Sequence, residues 1–106
     1  MKGIYFTEQA LGSLEEILSF LSCTMHEDAV LRVRDKIIAQ IETLQQHPYK
    51  GQQEEYLKHL ELGHRRLIAD RYKIIYRVLE KSIYITDIFD TRQDPSKMYP
   101  TAFSKT

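Results

Sequence analysis

Cysteine occurs once, at Cys23, so no internal disulfide can form and a cysteine-built zinc site has no ligands to use. His26, His47 and His59 show no metal-ligand spacing, and neither a metal nor any other cofactor is expected. No apolar run approaches the ~20 residues that a membrane span needs. The opening residues, MKGIYFTEQ, lack the apolar stretch of a secretory signal, which makes a cytoplasmic protein with no membrane partner the expectation. Repeats, low-complexity tracts and linkers are missing too. Net charge is also absent, because Lys+Arg 15 cancels Asp+Glu 15. A neutral chain argues against indiscriminate nucleic-acid binding.

What remains is an ordinary globular composition. The 106 residues, 42% hydrophobic and 28% charged, suffice for one domain over 1–106, with the polar tail 96–106 as its candidate flexible part. Charge is unevenly placed along it. Residues 1–63 carry six Lys/Arg against ten Asp/Glu, a net of −4, and residues 64–106 carry nine against five, a net of +4. Such asymmetry points to an anion-facing surface on the second half.

That half contains three β-prone runs, 64–69, 72–79 and 82–89, rich in Ile, Val and Tyr. Breaks at Asp70-Arg71 and Glu80-Lys81 are short enough only for neighbouring antiparallel strands, which predicts a meander. Alternation in the middle run puts Tyr72, Ile74, Tyr76 and Val78 on one face, apolar and suited to a core. Lys73, Ile75, Arg77 and Leu79 share the other, a mixed cationic and apolar face that suits a groove for an amphipathic segment or a polyanion. Arg65, Arg66, Lys73, Ile75, Arg77 and Arg92 are the candidate binding residues. Arg65 and Arg77 could equally pair with acids of the helices, and Asp87 and Asp90 with Arg66 or Arg77.

The first half reads as a short strand over 2–6 and then two helices. Thr7 is placed to cap the first, with Glu8 favoured by the helix dipole. Ala10, Leu11, Leu14, Ile17, Leu18 and Leu21 form its apolar stripe. Val30, Val33, Ile37, Ile41 and Leu44 form that of the second, which Pro48 ends. A short connection at 23–26 makes the pair an antiparallel hairpin. Tyr49 to Gln52 reads as a turn. Tyr56, Leu57, Leu60 and Leu62 fit either a helical turn or an irregular apolar strip under the sheet. The fold class is therefore α+β, an N-terminal strand and a helix hairpin packed on a three- to four-stranded, mainly antiparallel sheet.

This order of elements, with Arg65-Arg66-Leu67, the run Tyr72-Lys73-Ile74-Ile75-Tyr76-Arg77-Val78 and the close Ile85 to Pro95, resembles the RelE/ParE superfamily of type II toxins over nearly the whole chain. The resemblance implies a toxin encoded beside a cognate antitoxin that masks its working surface, in a hetero-oligomer or beside a toxin homodimer. Two branches differ in target. RelE-like members cleave mRNA on the ribosome, and ParE-like members poison DNA gyrase without nuclease chemistry. A third reading is a binding module that keeps the antitoxin groove without toxicity.

RNA cleavage needs a base for the ribose hydroxyl, cations for the phosphorane and an acid for the leaving oxygen. Matching the nuclease branch position by position gives His64, Arg66, Lys73, Arg92 and Tyr99. The match departs in kind, since nuclease members commonly place lysines at the first two and arginine at the third. Arginine, with a pKa above ~12, is a poor proton acceptor. Many nuclease members are also strongly basic, whereas this chain has a pI near 6.9. The ParE-like, gyrase-directed branch is the expectation.

Overall fold

The structure is a computed structural model and describes residues 2–98. Strand β1 (Gly3–Phe6) leads into α1 (Glu8–Ser22), and a short turn leads into α2 (Glu27–Glu42). Strands β2 (Gln52–Gln53), β3 (Arg65–Ala69), β4 (Tyr72–Val78) and β5 (Ser82–Asp90) follow, with a 3-10 segment Glu55–Leu60 between β2 and β3. Both helices start on side-chain caps. Thr7 Oγ1 accepts from the Ala10 N–H at 3.0 Å, and His26 Nδ1 accepts from the Asp28 N–H at 3.2 Å. Acids in each first turn, Glu8 and then Glu27 and Asp28, add to the favourable end charge.

The five strands form one sheet in the order β1-β5-β4-β3-β2. The meander is antiparallel as expected, and its first reversal places Asp70 at φ 60, a conformation that Asp tolerates in tight hairpin turns. β1 lies at the edge beside β5 and runs parallel to it, so the sheet is mixed. The fifth strand is β2, two residues that pair with Arg66 and Arg65 in a stretch whose sequence reads as a turn.

A bulge makes β5 serve the core along its whole length. Ile75 pairs with Asp87 and Tyr76 with Ile85, which leaves Thr86 as the extra residue. The resulting shift turns both Ile85 and Ile88 toward the helices, where they join Ile37, Leu44, Ile74, Tyr76 and Ile83 in the main core. Asp87 is buried at the bulge and accepts from Ser13 Oγ of α1 at 2.7 Å, and Asp90 pairs with Arg92.

Tyr76 also fixes β2. Its hydroxyl donates to Pro48 O and accepts from the Gly51 N–H, both at 2.9 Å. A Cβ on Gly51 would lie 2.5 Å from Arg66 O and 2.7 Å from that hydroxyl, so only glycine lets the chain pass there. Gly51→Ala is expected to destabilise the fold by about 1–3 kcal/mol, read as a lower urea midpoint, because backbone must move to admit the methyl. An unchanged midpoint would show that β2 is not pinned here.

Candidate functional site

The helices cover one face of the sheet. The other carries the cation-bearing alternation of β3 and β4, and the chain after β2 folds back across it. Leu57, Ile75, Phe89 and Met98 form a second, smaller core there, with Leu60 packed against it. Ile75 is 0% exposed. That corrects the expectation of Ile75 as a residue lining an open groove. The 3-10 segment Glu55–Leu60 lies under the sheet, with Leu57 and Leu60 packed into the small core around Ile75.

Glu54 stands where the strap crosses the cations. It is fully buried, and its Oε2 accepts from the Tyr56 N–H at 3.0 Å, capping the 3-10 segment. Its Oε1 lies 3.0 Å from Lys73 Nζ and 3.7 Å from Arg66 Nη1. These are ion pairs by distance whose angles fall outside hydrogen-bond geometry, so Oε1 has no hydrogen-bond partner. Arg66 is further held by Gln53 O at 2.6 Å and Gln52 Oε1 at 2.9 Å. Lys73 Nζ sits 5.5 Å from the centre of the Tyr56 ring, a cation–π contact on the exposed rim. Two cations that the sequence assigns to an open anion-facing surface thus share one internal carboxylate, which offsets half of their charge.

His64 completes the cluster at 2% exposure. One step beyond the Arg65↔Tyr76 pair, it stands opposite Arg77. Burial first, and the charge of Arg77 second, push its pKa from the ordinary 6.5 down to about 4, against an upward pull from Glu54. The ring is neutral at pH 7, and neither of its nitrogens has a hydrogen-bond partner. The sequence argument that His64 titrates near neutrality therefore does not hold in this burial. Leaving such groups unpaired costs roughly 1–3 kcal/mol each, so the cluster is not optimised for stability.

The other candidates lie elsewhere. Arg65 points to the helix side, where it donates to Gly51 O at 2.6 Å and lies 5.0 Å from the Tyr49 ring. Its role there is to hold the loop 48–51 against the sheet. Arg77, half-buried, donates through Nε to Leu62 O at 3.0 Å. Arg92 is exposed and grips Asp90 with two bonds, Nε to Oδ1 at 3.1 Å and Nη2 to Oδ2 at 2.7 Å. The Arg92 guanidinium holds the Asp90 carboxyl below the usual carboxylate range. With Glu16, Ile17, Phe20, Tyr72 and Gln93, this pair lines an open cleft of about 580 Å³ beside α1.

Arg92 and Lys73 consequently face opposite sides of the sheet, and the set His64, Arg66, Lys73 and Arg92 is not brought together around one reacting group. Tyr99 lies outside the described residues. Among the described residues no cluster of His, Cys, Asp or Glu is placed to hold a metal, and no helix is long and apolar enough to cross a membrane. Sequence reasoning missed Glu54. Its only signal was an acidic pair, Glu54-Glu55, between polar residues and facing a cation-rich sheet.

A family model described as the ParE toxin of type II toxin-antitoxin systems, parDE, matches residues 4–95. Among solved structures, a chain of the chromosomal ParDE toxin-antitoxin system from P. aeruginosa is similar in fold, with a TM-score of 0.71 at 23% identity, over 85% of this chain and 96% of that one. No curated protein matches the chain. With the match running from β1 through β5 to the turn at Pro95, the chain belongs to the ParE toxin family of type II toxin-antitoxin systems.

Proposed function

We propose that this toxin arrests growth by binding DNA gyrase in the cytoplasm, without nuclease chemistry of its own, until a cognate antitoxin covers the sheet face bearing Arg66, Lys73 and Arg77. The observation that carries the protein-directed reading is Glu54. A phosphate-binding surface works by offering unpaired cations to the backbone. Here Lys73 and Arg66 share one buried carboxylate and Arg92 is held by Asp90, so these three cations are already engaged rather than offered freely to a polyanion. Among the described residues, His64 is buried and neutral at pH 7 and Arg92 lines the cleft beside α1 in a bidentate pair with Asp90, an arrangement that does not favour acid–base work by these two.

A protein partner fits what is exposed instead. Tyr56, Leu62 and Ile68 stand out from polar neighbours around the strap and on β3, a mixture of ring, aliphatic and polar groups typical of a protein contact. The reading is tested with purified chain, gyrase, supercoiled DNA and ATP. Accumulation of cleaved, gyrase-linked DNA is the expected result. Unimpaired gyrase, together with mRNA cut on ribosomes by the same preparation, would overturn it.

A further inference from the structure

Three buried polar atoms in one cluster are left unsatisfied, Glu54 Oε1 and both ring nitrogens of His64. Folded proteins retain few such groups, and a concentration of them marks a place built for something besides stability. Glu54 brings one carboxylate to two cations, Lys73 at 3.0 Å and Arg66 at 3.7 Å, neither in hydrogen-bond geometry. The site is therefore occupied by one carboxylate for two cations.

We propose that Lys73, Arg66 and His64 form a carboxylate-binding site that Glu54 fills in cis, and that an acidic side chain of an extended antitoxin segment displaces Glu54 on docking. This rests on the reading that the antitoxin covers this face. A carboxylate is the ligand class because the site already holds one. Exchange of one carboxylate for another leaves the local charge unchanged, and a better-aimed acceptor would give the neutral His64 ring the partner it lacks.

The strap is built to give way. Its strand β2 is two residues long, and Gln52 and Gln53 are exposed. Between the anchors at Gly51 and Leu57, the strap is held by Arg66 on Gln52 and Gln53, by the contacts of Glu54, by the Lys73–Tyr56 ring contact, and by the Glu54 N–H donating to His64 O at 2.9 Å. Arg66 and Lys73 project from β3 and β4, which pair with each other inside the sheet, so their backbone positions do not depend on the strap alone. The sheet thus fixes where the two cations start from, and the internal anion sits on the shorter-paired segment.

The test uses the full chain and hexaglutamate as probe, with calorimetry at low salt and a single-stranded oligonucleotide as comparison. Glu54→Gln is expected to bind hexaglutamate about tenfold or more tightly than the parent, and adding Lys73→Met is expected to abolish the gain. In the parent, hexaglutamate should shift the Tyr56 amide resonance, because that N–H loses its acceptor. The proposal fails if folded Glu54→Gln binds no tighter, if the gain survives Lys73→Met, or if the gain is seen with the oligonucleotide alone. Unfolding of Glu54→Gln by circular dichroism, whether or not Lys73→Met restores the fold, would make Glu54 a structural counter-charge and overturn it as well. Trapping of gyrase by the same variants reports on the target separately, so loss of this site and loss of the gyrase reading are told apart.

Discussion

Ile75→Asp is expected to unfold the domain. Ile75 is 0% exposed and packs with Leu57, Phe89 and Met98, and Arg66 opposite it is already engaged by Gln52, Gln53 and Glu54. An ionised group there loses its hydration, and protonating it to avoid that cost requires a large pKa shift. Either route, added to the lost isoleucine packing, amounts to about 5 kcal/mol or more. A domain of this size has about 5–15 kcal/mol to lose. The control sits on the same face of the sheet. Ile68, opposite Lys73, is 53% exposed, and Ile68→Asp is expected to cost about 1 kcal/mol or less. Thermal melts of the two variants decide the matter. If Ile75→Asp melted near the parent, the strap would not cover this face, and an open groove would return.

Acid should weaken the fold well above the range where carboxylates titrate. His64 has a pKa of about 4 in the fold against 6.5 when unfolded, lowered first by burial and then by Arg77. Between those values the unfolded chain binds a proton that the folded chain refuses, so stability falls as pH drops from about 6.5 to about 4 and the loss then levels off. The full excursion is worth about 3 kcal/mol at most. The groups facing His64 are Arg77, which resists its protonation, and Glu54, which favours it. Asp90, depressed by Arg92, adds its own loss only at lower pH, as its carboxylate protonates below 3.8. Urea midpoints across this range should slope for the parent and stay flat for His64→Leu. An equal slope in both would show that the ring is hydrated or paired in solution.

Much of the fold was legible because the meander obeys local rules. Two-residue breaks at Asp70-Arg71 and Glu80-Lys81 admit only hairpins, and alternation placed Tyr72, Ile74 and Tyr76 correctly on the helix face. Helix boundaries followed from Thr7, from the acids at Glu27 and Asp28, and from Pro48. β2 was not legible, because Gln52 and Gln53 carry no strand signal. Their pairing is imposed from a distance by Tyr76, Gly51 and Arg65.

The same limit governed the candidate site. Alternation correctly sent Lys73, Ile75 and Arg77 to one face, but it says nothing about what covers that face. The apolar strip Leu57 and Leu60 was visible in the sequence, and its packing under the sheet closes the groove that Ile75 had implied. Counting cations on the strands also left out the acid that meets them, since Glu54 lies ten or more positions away in a stretch without periodicity. Arg92 was read as part of the sheet surface. Its reach back to Asp90 depends on the turn after β5, which carries it to the side of α1.

The most direct test of the account is a timed induction of the toxin in bacteria, following thymidine and methionine incorporation over the first minutes. A protein that meets gyrase through a sheet face whose cations are already engaged from within should stop thymidine incorporation first and raise a DNA-damage response, with methionine incorporation falling later. An immediate fall in methionine incorporation, with DNA synthesis still running, would contradict it and turn attention back to RNA cleavage.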